Sequence, residues 1–401
     1  MTLRVGLVLA ASTGGIGRHV ASLATGLAAR GATVTVCCPA DTAARYDFAA
    51  GGAGPGQRSS AGDAGGAGPG QRSSAGDAGP AAPGQAPAPI QVRTVEIPAR
   101  PGLRDWAVVS ALRAALRNVD VVHAHGLRAG LVASFARPAG VPLVVTWHNP
   151  VPTGGVRGAV AGVAGRRVAR AADLTLGASA DLVAQASALG ARDARLGPVA
   201  APLLGRPVRD PAEVRAELGV PESAALLLSV GRLEPQKGYH LLVDAAARWR
   251  GRPVPPMVAI AGVGPDYLRL TAHVSAARAK VVLLGRRTDV ADLLAAADLA
   301  VVTSRWEARQ LFAQEALRAG VPLVATAVGG LPELVGDAAV LVPAGDLDAL
   351  DEAVTRLLDD PGLLARYSAA GPVRAAGWPT EEQTVDQVAA VYAELTGVPV
   401  G

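Results

Sequence analysis

Leu226-Leu227-Leu228-Ser229-Val230-Gly231-Arg232-Leu233-Glu234-Pro235-Gln236-Lys237-Gly238 decides how the rest of the chain is read. The apolar run Leu226–Val230 is a strand pattern, and it opens into a Gly-flanked loop before the helical pattern Tyr239 to Trp249. A strand end that passes through such a loop into a helix N-terminus is a natural anion site. Arg232 adds a forked donor and Lys237 a compact charge, which together suit a diphosphate. Lys237 and Lys280 are the only lysines among 38 Lys and Arg residues, so Lys237 stands out from an arginine background.

Further strands read outward from this stretch at Met257–Ala261, Val281–Leu284, Leu299–Thr303, Leu323–Thr326 and Ala339–Val342, with helical patterns in each gap. Continuous apolar strands alternating with helices predict a parallel sheet covered on both faces. The N-terminal part begins the same way. Val5 to Leu9 is apolar, Ser12-Thr13-Gly14-Gly15-Ile16-Gly17 turns, and Val20, Leu23 and Leu27 space out a helix that Gly31 stops. Strands recur at Val34–Val36, Val119–His123 and Leu143–Thr146. A signal peptide is the weaker reading of the first residues, because the apolar run enters a turn and helix without a cleavage site.

Gly52 to Gly65 is repeated without change as Gly66 to Gly79, and Pro, Ala and Gly dominate up to Pro89. With almost nothing apolar to bury, residues 50–89 are expected to be a disordered insertion. The Pro-rich stretch Leu196 to Arg209 reads as a boundary. The division expected is 1–203, 204–375 and a C-terminal helix over 376–401. A net charge of +4 with no aromatic-basic interleaving argues against a nucleic-acid groove. Cys37 and Cys38 end an apolar run and read as buried thiols. No apolar stretch approaches the roughly 20 residues of a membrane span, so a cytoplasmic chain is expected. The basic helical stretch Val156 to Arg170 leaves room for peripheral contact with a membrane.

Ser304-Arg305-Trp306-Glu307 ends the strand Leu299–Thr303, and Glu315 lies in the helix that follows. Carboxylates at a strand's carboxyl end accept hydrogen bonds from sugar and ribose hydroxyls. His123 and His125 face the same way on a strand, which makes a metal pair conceivable, but no carboxylate or cysteine sits at ligand spacing.

Gly231-Arg232…Lys237-Gly238, Glu307 with Glu315, and Gly320-Val321-Pro322 through Gly329-Gly330-Leu331-Pro332-Glu333 appear in one order. That order resembles the retaining family 4 glycosyltransferases, the glycogen synthase and phosphatidylinositol mannosyltransferase group. The resemblance spans nearly the whole chain apart from the insertion. It implies the GT-B fold: two facing Rossmann-like, doubly wound α/β domains, with a C-terminal helix returning to the N-terminal one. By the same resemblance, Arg232 and Lys237 hold the diphosphate of a nucleotide-sugar donor, Glu307 the sugar hydroxyls and Glu315 the ribose. Gly15 comes close to donor phosphate and sugar. His148, in Thr146-Trp147-His148-Asn149, meets the donor sugar, and Glu307 and His148 are the residues expected at the chemistry.

The implied reaction moves a hexosyl group to an acceptor hydroxyl, of a lipid or small metabolite, with retained configuration and without a metal ion or other cofactor. Two departures stand out. Ala308-Arg309-Gln310-Leu311 replaces the usual glycine-rich loop, so Arg309 or Gln310 is placed to contribute directly. Gly197-Pro198-Val199-Ala200-Ala201-Pro202 replaces the usual entry to the second domain. The rival readings are a nucleotide-sugar epimerase of the same architecture, a non-catalytic sugar-nucleotide binder and a Rossmann oxidoreductase. A short-chain dehydrogenase, the form of oxidoreductase considered, needs a Tyr with Lys four residues later, which the chain lacks.

Overall fold

Short Val- and Leu-rich runs with no polar alternation bury both faces, and here they assemble into two parallel sheets. The computed structural model describes residues 2–12, 14–46, 48, 89–98, 102 and 105–400. Thr13 and, Pro89 apart, the segment 50–89 expected to be disordered lie outside the described residues.

The first sheet and its helices comprise β1 (Arg4–Leu9), α1 (Gly15–Ala29), β2 (Thr33–Cys38), α2 (Ala40–Arg45), β3 (Ile90–Thr94), α3 (Asp105–Ala115) and β4 (Val121–His125). They continue through α4 (Leu127–Ala136), β5 (Leu143–Trp147), α5 (Gly155–Ala171), β6 (Leu174–Gly177), α6 (Ala180–Ala188) and β7 (Ala194–Leu196). The second unit runs α7 (Pro211–Glu217), β8 (Leu226–Val230), a 3-10 turn (Pro235–Lys237), α8 (Tyr239–Trp249), β9 (Met257–Ala261), α9 (Tyr267–Ala277) and β10 (Val281–Gly285). After it come α10 (Val290–Ala296), β11 (Leu299–Val302), α11 (Leu311–Arg318), β12 (Leu323–Thr326), α12 (Leu331–Val335), β13 (Val340–Val342), α13 (Leu347–Asp359) and α14 (Pro361–Ala376). The last helix is α15 (Glu381–Thr396).

The strand orders are β3-β2-β1-β4-β5-β6-β7 and β10-β9-β8-β11-β12-β13. Each order reverses once, between β1 and β4 and between β8 and β11, and the crevice at such a reversal is where open α/β sheets bind ligands. The fourth strand begins two residues later than the sequence pattern suggests. Asp120 is drawn out of it, accepting from the Arg4 backbone N–H at 2.8 Å and from its guanidinium at 2.5 Å.

Apolar layers cover both faces of both sheets. The layer over α1 includes Val385, Val388 and Tyr392, so α15 leaves the second unit and completes the core of the first. Here α1 and α15 nearly touch: a Cβ on Gly26 would lie 2.5 Å from Val385 Cγ2. Cys37 and Cys38 are buried free thiols, as expected, and burial pushes them up to about 12 and about 11. No helix among the described residues is long and apolar enough to cross a membrane.

Candidate functional site

Lys237 closes the loop after β8, and Glu307 stands in the loop after β11, so the two flank the reversal of the second sheet. Their side chains meet, with Lys237 Nζ 2.6 Å from Glu307 Oε1. Ser304 Oγ donates to the same oxygen at 2.6 Å. The loop that carries Lys237 is fixed by Gly238, whose φ of +65° favours glycine. A Cβ there would also stand 2.1 Å from the Thr303 carbonyl oxygen. Tyr239 packs beneath: it is buried, and burial pushes its hydroxyl up.

Arg232 is not part of this ion pair. It is half exposed, pairs with Glu234 at 2.6 Å, and acts electrostatically on Tyr46 of the first domain. Tyr46 in turn donates to the Gly14 carbonyl at 2.8 Å and so holds the turn after β1. Gly15 starts α1 directly opposite α11, where a Cβ would lie 3.1 Å from Leu311 Cδ1. The two domains therefore come close together at the turn where the resemblance places the donor, and closer still at Gly330, where a Cβ would lie 2.5 Å from Ser179 Cβ.

Glu315, in α11, is buried, and burial raises its carboxyl above the ordinary glutamate range against the pull of Arg18 and Arg318. Arg18 belongs to α1, so its charge acts on Glu315 from across the cleft. The altered loop 308–311 is occupied with its own structure. Gln310 caps α11 by accepting from the Ala313 N–H at 2.5 Å, and Arg309 Nε donates to the Val199 carbonyl in the linker at 3.2 Å. These bonds tie both side chains to α11 and the linker, while Arg309 Nη2 is buried with no partner among the described residues. Gln314 and Arg318 hold the same linker at Ala201, at 3.1 and 2.7 Å. Trp306 Nε1 donates to Asp181 of the first domain at 2.9 Å, closing the other side of the cleft.

His148 does not reach the Lys237–Glu307 pair through any hydrogen bond among the described residues. Its Nε2 lies 3.2 Å from His125 Nδ1, and His19 of α1 completes a buried trio. Burial pushes His19 down to about 4 and holds His125 and His148 well below the usual histidine range, so the three are neutral at pH 7. The conceivable His123–His125 pair is not one. His123 spends its ring nitrogens on the Tyr392 hydroxyl and Thr146 Oγ1, each at 2.7 Å, and only supports His125 from behind.

No sequence motif singles out His19, Arg18 or Ser304, which the fold brings to the site. His19 falls on the buried face of an Ala- and Leu-rich helix, where a polar side chain reads as packing. Ser304 gave one available signal, a hydroxyl three residues before Glu307 in a strand-end loop.

Two family models match the chain, "Glycosyl transferase 4-like domain" over residues 14–201 and "Glycosyl transferases group 1" over 210–374. The chain is 35% identical over 306 residues to D-inositol 3-phosphate glycosyltransferase 1 of Catenulispora acidiphila, covering 69% of this chain and 72% of that one. Its fold resembles sucrose-phosphate synthase of Thermosynechococcus elongatus, with TM-score 0.75 at 20% identity over 98% of this chain and 99% of that one. It also resembles Anabaena HepE in complex with UDP and glucose, with TM-score 0.74 at 20% identity over 98% of this chain and 100% of that one. Two parallel sheets that face each other across these loops, with α15 crossing back, have the GT-B architecture, and the chain belongs to the family 4-like glycosyltransferases.

Proposed function

We propose that the chain transfers a hexosyl group from a nucleotide-diphosphate sugar to an acceptor hydroxyl, with retention at the anomeric carbon. The observation that carries this reading is the Lys237–Glu307 pair at the reversal of the second sheet, opposite the Gly14–Gly15 turn. Lys237 and Arg232 would neutralise the diphosphate and Glu315 would accept from the ribose, with no divalent ion needed. Glu307 Oε1 is engaged by Lys237 and Ser304, which leaves Oε2 for sugar hydroxyls. A carboxylate so occupied serves for positioning and charge stabilisation. His148 would meet the sugar from the other domain.

Transfer then proceeds on one face of the sugar. The bond from the anomeric carbon to the phosphate oxygen breaks with its electron pair on that oxygen. The acceptor oxygen bonds to the same face, and its proton passes to the departing phosphate. Support for the donor class comes from HepE, whose complexes hold UDP and glucose. The Catenulispora relative names D-inositol 3-phosphate, which makes a phosphorylated polyol the first acceptor to test. Contact with anionic lipid through the exposed Val156, Val160 and Val163 of α5, flanked by Arg157 and Arg166, belongs to the same reading. Salt-dependent co-sedimentation with vesicles would reveal it.

The test is a screen of UDP, GDP, ADP and their sugars by thermal shift, followed by NMR of the product anomer. A bound donor raises the unfolding temperature. Glu307→Ala and Lys237→Ala should abolish transfer while the circular dichroism spectrum is kept. Near-wild-type turnover in either variant would end the assignment. Activity lost on chelation would end its metal-free form.

A further inference from the structure

Three histidines from three elements converge at the carboxyl edge of the first sheet: His19 from α1, His125 at the end of β4, and His148 just past β5. Their ring centroids stand 5.6, 5.6 and 5.5 Å apart, nearly an equilateral triangle. One ring nitrogen from each lies within 4.8 Å of the others, and the closest pair is 3.2 Å apart. A tetrahedral ion that holds imidazole nitrogens at about 2.1 Å needs them about 3.4 Å apart, with ring centroids about 5.3 Å apart. The rings therefore already stand at liganding separation, although the His125 and His148 nitrogens point at each other, and each of those two rings must turn by about 35° for both to converge on one tetrahedral ion.

A second observation points the same way. His125 shares Nδ1 with His148 while its Nε2 is buried with no partner among the described residues, so the trio is not closed by its own hydrogen bonds. His123, with both nitrogens taken, backs the site without joining it.

We propose that His19, His125 and His148 form a three-imidazole site for a borderline transition ion of the zinc class, with its fourth position open. Three nitrogen ligands and no carboxylate select zinc, cobalt, nickel or copper over magnesium or calcium. The ion is not a cofactor of transfer. It would occupy the His148 nitrogen that, on the function proposed above, meets the donor sugar, so filling the site inhibits transfer. That consequence rests on the proposed function, whereas the binding itself does not.

The experiment uses the full-length chain without an affinity tag, stripped with chelator and titrated with cobalt(II), then with zinc(II). The expected result is one cobalt per chain, tetrahedral ligand-field bands in the visible, and loss of those bands as zinc displaces cobalt. His19→Gln and His125→Gln should each weaken binding roughly tenfold or more, whereas His273→Gln in the other domain should not change it. X-ray absorption on the zinc-loaded wild-type chain should count three imidazoles, and this readout does not depend on any variant folding. No ligand-field bands, two or fewer imidazoles, or undiminished binding in folded His19→Gln would each overturn the site. Binding without inhibition would leave the site standing and remove His148 from the sugar.

Discussion

Lys237 and Glu307 are expected to behave as one unit, and a double-mutant cycle measures it. The 2.6 Å contact joins side chains that are 18% and 9% exposed, so screening by water is limited. At an effective dielectric of about 20 the attraction is about 6 kcal/mol, most of which is offset by the desolvation of both groups. Lys237→Met leaves Glu307 with only the Ser304 hydroxyl and should cost about 3 kcal/mol. Glu307→Gln keeps an acceptor for both donors but loses its charge, for about 1 to 2 kcal/mol. The double variant no longer buries an unpaired charge, so it should recover about 2 kcal/mol of the summed cost. Urea unfolding, fitted to two transitions because two domains need not unfold together, supplies the three differences. Transfer should fall by roughly 100-fold or more in each single variant, with the double no worse than the weaker single. A coupling below about 0.5 kcal/mol, or activity losses that multiply, would refute the idea that charge pair and donor site are one device.

Glu315→Gln should stabilise the chain at high pH. The folded carboxyl titrates above its unfolded value, so the unfolded state is the better acid and stability is lost as pH rises through the raised value. The melting-temperature gain over wild type should be larger at pH 8 than at pH 5, while donor affinity falls; a gain independent of pH contradicts the burial argument. Gly26→Ala should cost about 1 to 3 kcal/mol by driving a methyl into Val385, and Val385→Ala should suppress part of that loss in a thermal-denaturation cycle. Trp306→Phe removes the hydrogen bond to Asp181 between the domains, worth about 1 kcal/mol. The donor KM should rise a few-fold with no change in the melting temperature of either domain. An unchanged KM would show that this contact does not bias closure.

The second sheet was readable almost residue by residue, because runs such as Leu226–Val230 and Met257–Ala261 are buried on both faces and carry no competing period. Strands β3, β6 and β7 were not. β3 is an edge strand with mostly exposed residues, β6 is a short run ending in glycine, and β7 is three partly exposed residues. In the site, Lys237 and Glu307 could be named from their strand-end loops, but their ion pair spans 70 positions and no local pattern encodes it. The three histidines are a stronger case. Each sits alone in its own segment, and only the order of β1, β4 and β5 in the sheet brings them together.

The crossing of α15 has a consequence for how the chain comes to life. A ribosome delivers the first sheet well before residues 385–392, yet Val385, Val388 and Tyr392 belong to the apolar layer over α1. Until they emerge, the nascent first domain carries an open greasy flank and an unpartnered His123 nitrogen, the kind of surface that recruits chaperones. The second domain, whose apolar layers take nothing from the first, is expected to fold in the interval. On that order its completion would carry α15 toward the gap, and the last step of folding would also join the two halves of the cleft.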